Sequence, residues 1–424
     1  MRIRFATVLL SIACATASAQ PDPCAPGPIP AEPPPSPAEP PAQPEVASPP
    51  APAPAPAPPP AQREPSEDEL RARASYEPSS IALGGFLQPQ FRLRQDSPVQ
   101  GDTPGFRFAR ARLTALAQTR SGNLDVSAYI EGELQPNFVL FDAFATLGRR
   151  LPAGGRIEVD VGQMRVPISR QQMLSDKKVA FVDKAQITSI APDRDIGARV
   201  NLAIPKLEYV RVMGGIYNGE QKNQVENIND KFLYAARVEV SPIGRDRPLS
   251  ESVFDGKFLT VSASYGHNVL ASGANDEKLR YYGFDVSGAY RGLSGSFEFL
   301  EVFHDFSGGN PAFLPPSYKS NGFNAQLNYM LPVRLPPYRQ ARLELGARVE
   351  EIDRNDTVPI AQPGDPNQSV REITGVATFY LRGHALKAQL AASHFQEIET
   401  RTAVGQDATY ANDQLLLQLT YVME

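Results

Sequence analysis

Tryptophan is absent from this chain, cysteine occurs twice and histidine four times. Cys14 falls in an N-terminal leader, so Cys24 stands alone and an internal disulfide is excluded. His267, His304, His384 and His394 are scattered. Glu298, Glu301 and His304 have the spacing of ligands on a helix, but their segment reads as a strand, which puts 298 and 301 on opposite faces. "NQVENIND" is rich in oxygen ligands and reads as a solvated loop. No metal or other cofactor is expected. No Ser–His–Asp grouping can be argued, so no catalytic residue is assigned and an enzyme is not expected. Beyond the leader no run approaches the ~18 apolar residues of a membrane-spanning helix. That leaves a soluble protein or a closed β-barrel, the other structure that satisfies its backbone in lipid. A net charge of −5 gives no basic footprint for nucleic acid.

What is present begins with processing. Arg2 and Arg4, the apolar "FATVLLSIA" and the "ASA" at 17–19 form a secretory signal peptide, residues 1–19. A lipoprotein alternative would use Cys14, but the leucine usual three residues earlier is missing. Residues 20–79 form a Pro/Ala-rich linker in which about every second residue up to Pro65 is proline. It cannot build a core and should run as extended polyproline II. At ~3.1 Å per residue it could span on the order of 100 Å, as a spacer or as a strut through the periplasm to the cell wall. "SEDELRARASYEP" reads as a short charged helical turn.

From residue 80 to 424 the texture changes to segments of about ten residues that alternate apolar and polar. In "GFLQPQFRLR", Leu87, Phe91 and Leu93 oppose Gln88, Gln90, Arg92 and Arg94. In "FARARLTALAQ", the alanines and Leu113 oppose Arg110, Arg112 and Thr114. "GNLDVSAYIEGEL" sets Leu124, Val126 and Ile130 against Asp125, Tyr129, Glu131 and Glu133. About sixteen strands are expected, the even number of a single-chain outer-membrane barrel. Connections after odd strands tend to be long and polar, as in "NGEQKNQVENIND". Those after even strands are often tight, as in "RGLSG". The stretch 242–255 breaks this scheme by being long on the short side.

The longest connection follows the fifth strand, Pro167 to Asp193. Met173, Val179, Phe181, Val182 and Ile187 would be misplaced in a loop surrounded by water. A loop packed inside the barrel would use them, narrowing a lumen that sixteen strands otherwise leave open.

"GQMRVPISRQQ" followed by "APDRDIGARV" resembles the phosphate-selective porins O and P, as do "GGFLQPQF", "FRFARARL", "LFDAFATL", "GIYNGE" and "YLRGHALKAQL". The resemblance implies an all-β, transmembrane, sixteen-stranded antiparallel barrel, a homotrimer, with an inward-folded third outer loop that carries basic residues. Two departures stand out. The chain closes on "LTYVME" where the family closes on an aromatic residue, and Ile168 replaces the usual Phe after the proline. Without tryptophan, interface girdles would rely on Tyr and Phe.

Strand parity aims Arg92, Arg94, Arg110, Arg112 and Arg199 inward, and the inward loop adds Arg170, Lys177, Lys178, Lys184 and Arg194. Such residues would line a pore that prefers anions such as phosphate. Asp125, Glu131, Glu133, Glu158, Asp160, Asp176, Asp183, Asp193 and Asp195 oppose them, and wall-stiffening ion pairs are an equal reading. The expectation is a porin in the outer membrane of a Gram-negative bacterium, with outer-membrane lipids and small anionic solutes as partners. The alternative is an envelope anchor whose Pro-rich arm reaches the cell wall. A third reading, an outer-membrane hydrolase, lacks its nucleophile and base.

Overall fold

The computed structural model describes residues 76–423 except 95–103, 152–153, 205–206, 208, 245–249, 253, 255, 273–274, 308–316, 333–340, 358–368 and 399–412. The expected signal peptide and almost all of the linker lie outside the described residues. Sixteen strands follow one another: β1 (Tyr76–Arg94), β2 (Gly105–Ser121), β3 (Leu124–Glu133), β4 (Val139–Arg150), β5 (Arg156–Arg165), β6 (Arg194–Ala203), β7 (Val210–Tyr217), β8 (Leu233–Ile243), β9 (Lys257–Ser272), β10 (Asn275–Tyr290), β11 (Leu293–Ser307), β12 (Ser317–Met330), β13 (Arg342–Asp353), β14 (Val370–Arg382), β15 (Leu386–Glu397) and β16 (Gln414–Met423). Each pairs with its chain neighbour, and β16 closes antiparallel on β1 with Phe86 opposite Val422 and Leu93 opposite Leu415. Closure leaves no open edge.

Three boundaries differ from the sequence reading. β1 opens at Tyr76, so Tyr76 to Pro78 are strand rather than helical turn, paired with the end of β2 through Tyr76–Ser121 and Glu77–Arg120. The β9–β10 hairpin stays paired up to Ser272 and Asn275, in place of the long connection expected after an odd strand. Its polar residues satisfy their backbone groups on each other instead of in a loop. The third difference is Arg194, expected in the long loop, which opens β6 opposite Arg165.

Alternation sorts the side chains as expected. In β8, buried and exposed residues take turns, with Arg237 and Glu239 inside and Tyr234 and Val238 outside. The outer face is apolar all round, with Leu113, Ile130, Leu147, Leu345 and Leu417 exposed. An apolar surface this extensive does not persist in water. Exposed tyrosines Tyr209, Tyr290, Tyr329 and Tyr421 fringe the short-turn end, while Phe106, Tyr234, Tyr265 and Tyr282 lie toward the long-loop end. Tyr421 thus stands on the outer face near the end of β16, and Glu424 lies outside the described residues. Gly162 sits where β4 and β5 approach closely. Its φ is +131°, and a Cβ there would fall 2.2 Å from the Ala143 carbonyl oxygen.

Candidate constriction of the lumen

Residues 166–193 leave the wall after β5 and cross the inside of the barrel. Their base is closed by the Val166 amide donating to the Asp193 carbonyl at 3.0 Å. Ser169 then caps a single helical turn, Arg170–Met173, by accepting from the Gln172 amide. The amides of Arg170 and Gln171 at the start of that turn donate to the Glu298 carboxylate of β11 at 2.8 and 3.0 Å. A carboxylate at the first amides of a helical turn satisfies donors that have no partner within it.

Two apolar patches pin the loop. Ile168, Ala185 and Ile187 pack with Tyr217, Leu233, Leu279, Tyr281, Leu300 and Val302 on the inner wall. Ala180, Phe181 and Val182 pack with Val376, Ala391 and Leu416 on the other side. Val179, Phe181, Val182 and Ile187 are therefore buried as the sequence suggested, each at 1% exposure or less. Inner-wall leucines and valines were not foreseen, because a wet barrel has no use for them until the loop is there to cover them.

Polar contacts continue around the circumference. The Val179, Ala180 and Asp183 carbonyls accept from Lys387, Gln389 and Arg348 at 2.5, 2.6 and 2.9 Å. Ile168 accepts from Ser264 at 2.7 Å, and the Gln186 amide donates to Glu350. Asp176 meets Arg112 at 2.6 Å and Arg110 at 3.2 Å on β2. The loop touches walls on opposite sides of the barrel and divides its interior.

From the other end the connection between β8 and β9, the stretch that broke the sequence scheme, supplies a second insert, described at residues 250–252 and 254. Ser250, Glu251 and Ser252 are buried inside the barrel. Glu251 accepts from Gln171 Nε2 at 2.5 Å and from the Ala180 amide at 2.8 Å, while its own amide donates to the Lys178 carbonyl at 3.2 Å. Ser252 donates to Glu344 at 2.7 Å. Phe254 stands edge-on to Tyr380 and His384 at 4.9 and 5.3 Å. Burial holds His384 down to about 3, with Lys387 adding to the effect, so it anchors the insert as a neutral ring. The sequence signal for this insert was its length alone.

The ten candidate residues separate into groups. Arg92 and Arg94 of β1 line a cavity of about 240 Å³ together with Arg107, Lys184 and Arg348, against Asp183 and Glu372. Arg110 is paired with Asp176 and Asp183. Arg112 is buried among Glu131, Glu133 and Asp176, with its guanidinium 4.2 Å from the Phe141 ring centre. Arg194 forks onto Asp142 at 2.9 and 3.3 Å, and Arg199 onto Asp160 at 3.1 and 2.8 Å. Arg170 is 6% exposed and wedged between loop and insert, donating to the Ser250 carbonyl at 3.5 Å. Lys177 and Lys178 form a short 3-10 turn with Asp176, and neither side chain makes an ion pair among the described residues.

Lys184 is the most perturbed of the set. Burial pushes its ammonium down to about 7, Asp176 opposes this, and Arg165, Arg194 and Arg110 add to it. For Asp176, burial acts to raise the carboxyl, but Lys184, Arg110 and Arg112 outweigh it and hold it well below the usual carboxylate range. The loop thus carries one fixed carboxylate and one lysine pushed down toward neutrality.

No family model and no curated protein matches the chain. Solved structures do. An anion-selective porin from Comamonas acidovorans aligns with TM-score 0.58 and 13% identity over 81% of this chain and 100% of that one. OmpT of Vibrio cholerae, an outer-membrane protein in a trimer form, gives 0.53 and 8% over 82% and 100%. OmpF of Salmonella typhi, in complex with daunomycin, gives 0.52 and 12% over 81% and 97%. At such identities the likeness is one of fold. The chain has the fold of outer-membrane porins, a closed sixteen-stranded antiparallel barrel with an inward third loop on the long-loop side.

Proposed function

We propose that the protein is a passive diffusion channel for small hydrophilic solutes in the outer membrane of a Gram-negative bacterium. The observation that carries this is a closed barrel apolar outside and charged inside, crossed by an inward loop. Such a wall suits lipid on one face and water on the other. The long-loop end then faces outward and the short-turn end the periplasm. Planar-bilayer recording of the purified chain tests this, with stable current steps expected in KCl; a chain that gives no steps is not a porin.

The finer reading is a preference for anions. In the cavity beside the loop, five cations face two carboxylates, and selectivity follows the sign of the lining charge. Four of the five are arginines, whose forked donors suit phosphate-like solutes. The porin from Comamonas acidovorans that shares this fold is anion-selective. Reversal potentials in asymmetric KCl test the sign, and added phosphate tests for block. Clear cation selectivity would sink this part. A homotrimer is the proposed assembly, to be checked by mass measurement in mild detergent.

One observation favours a second reading. Loop and insert meet inside the lumen, as expected of a barrel closed to serve as an envelope anchor. In that reading the Pro-rich arm, outside the described residues, ties the membrane to the cell wall. Deleting residues 21–65 leaves conductance intact if the barrel is a channel, and weakens envelope attachment if it is an anchor.

A further inference from the structure

The outer face of β9 to β12 carries a charged cluster that neither the strand ladders nor the lumen uses. At the short-turn end Lys257 of β9 lies directly opposite Tyr290 of β10. Both are on the outer face, since Phe258 and Ala289 beside them are the buried residues. The Tyr290 ring is 52% exposed. The Lys257 ammonium lies 5.9 Å from its centre and the Arg291 guanidinium 5.2 Å from it. Among the described residues neither Lys257 nor Arg291 makes an ion pair with a carboxylate. Two like charges held beside one ring repel each other, and an anion between them relieves that repulsion.

Arg291 also occupies a strained place. With Gly292 it forms the two-residue turn between β10 and β11, and both have positive φ, +51° and +83°. Turns of this kind favour Asn, Asp or Gly at the first position, because a longer side chain in the left-handed region crowds its own carbonyl. The turn itself gives no reason for an arginine; a ligand for its charge does. One pair further along the strands, toward the middle of the wall, Gly288 of β10 and Gly295 of β11 lie opposite each other. Neither has a side chain, so they leave a shallow notch on the outer face between Leu259 of β9 and Leu327 of β12. The charged cluster and the notch are continuous.

We infer that this face binds an anionic phospholipid, with the head-group phosphate held by Lys257 and Arg291 at the edge of Tyr290 and an acyl chain in the Gly288–Gly295 notch. Aromatic rings flanked by basic side chains suit the level of the head groups. A zwitterionic lipid offers the same phosphate, but its ammonium group would face two cations. The inference rests on the membrane setting proposed above and not on conduction.

Native mass spectrometry of the full chain, released from neutral detergent and titrated with phosphatidylglycerol and phosphatidylethanolamine of identical acyl chains, makes the test. Phosphatidylglycerol is expected to bind at least about tenfold tighter, each cation contributing about fivefold. Lys257→Gln and Arg291→Gln should each cut the preference by about that factor, and together remove it. Arg149→Gln, which takes an exposed cation from the outer face of β4 near the same end, should leave it unchanged. Arg291→Asn separates the lipid site from the turn. It eases the backbone, so the barrel should melt no earlier than the parent while its preference for phosphatidylglycerol falls. Equal binding of the two lipids, a preference that survives the double exchange, or one that falls as far in Arg149→Gln, overturns the proposal. A preparation that prefers phosphatidylglycerol yet carries no current removes the channel reading and leaves the lipid site standing.

Discussion

The carboxylate of Glu251, on the insert that rises from the short-turn end, accepts from Gln171 Nε2 of the lumen loop at 2.5 Å. It also caps the Ala180 amide. Glu251→Ala would leave two buried donors without partners, at about 1–3 kcal/mol each. The loop should then fluctuate, and single-channel recordings should show larger, noisier openings than the parent. Glu251→Gln keeps an acceptor and should give an intermediate trace. Recordings identical to the parent in both variants would mean that the contact does not restrain the loop.

Lys184 predicts a pH dependence near neutrality. Its folded pKa is depressed to about 7, below the ordinary lysine value of 10.5. Raising pH through about 7 removes a positive charge from the constriction, so anion preference should fall between roughly pH 6 and 8. Stability should move the other way. The unfolded chain binds the extra proton between about 7 and 10.5, so stability rises over that window. Reversal potentials measured across pH check the first effect, and Lys184→Met should flatten the profile.

Asp176 holds Arg110, Arg112 and Lys184 together at one point. Asp176→Asn would leave buried cations facing each other. Breaking a buried pair of this kind costs about 3–5 kcal/mol. The variant should unfold at lower temperature and show stronger anion selectivity, and the Lys184 transition should move below 7 because its main attraction is gone. A selectivity unchanged from the parent would place Asp176 outside the conducting path.

Phe181 is fully buried against Val376, Ala391 and Leu416, with Arg348 4.6 Å from its ring centre. Phe181→Ala removes a side chain whose loss costs about 3–5 kcal/mol in a packed site. The barrel keeps its strand ladders, so the loss should appear as a released loop and higher conductance rather than a lost fold. Heat-modified gel mobility and current amplitude together check this.

Alternation made the wall legible in advance. The parity that opposes Arg92 and Arg94 to Leu87 and Leu93 is the parity the strands adopt, because each face meets a different medium. The inward loop was legible too, since Phe181 and Val182 had no reason to be in water. Less legible was the inner wall. Leu279 and Tyr281 interrupt the polar inward row of β10, and apolar residues on both faces of one strand carry no periodic signal. Their partners, Ile168 and Ile187, are more than ninety residues away in the chain. The ion pairs were half legible: inward direction could be read for Arg112 and Arg199, but which carboxylate each would find depended on register. The role of 244–256 stayed hidden, since a long connection does not say which way it bends.

If the barrel is the channel proposed above, that bend has a consequence for how it can change. If only the outward loop set the aperture, every adjustment of permeability would alter the mouth that meets the surroundings. Here Glu251 and its neighbours grip the loop from beneath. Substitutions there can retune passage from the sheltered side, leaving the outward surface as it was.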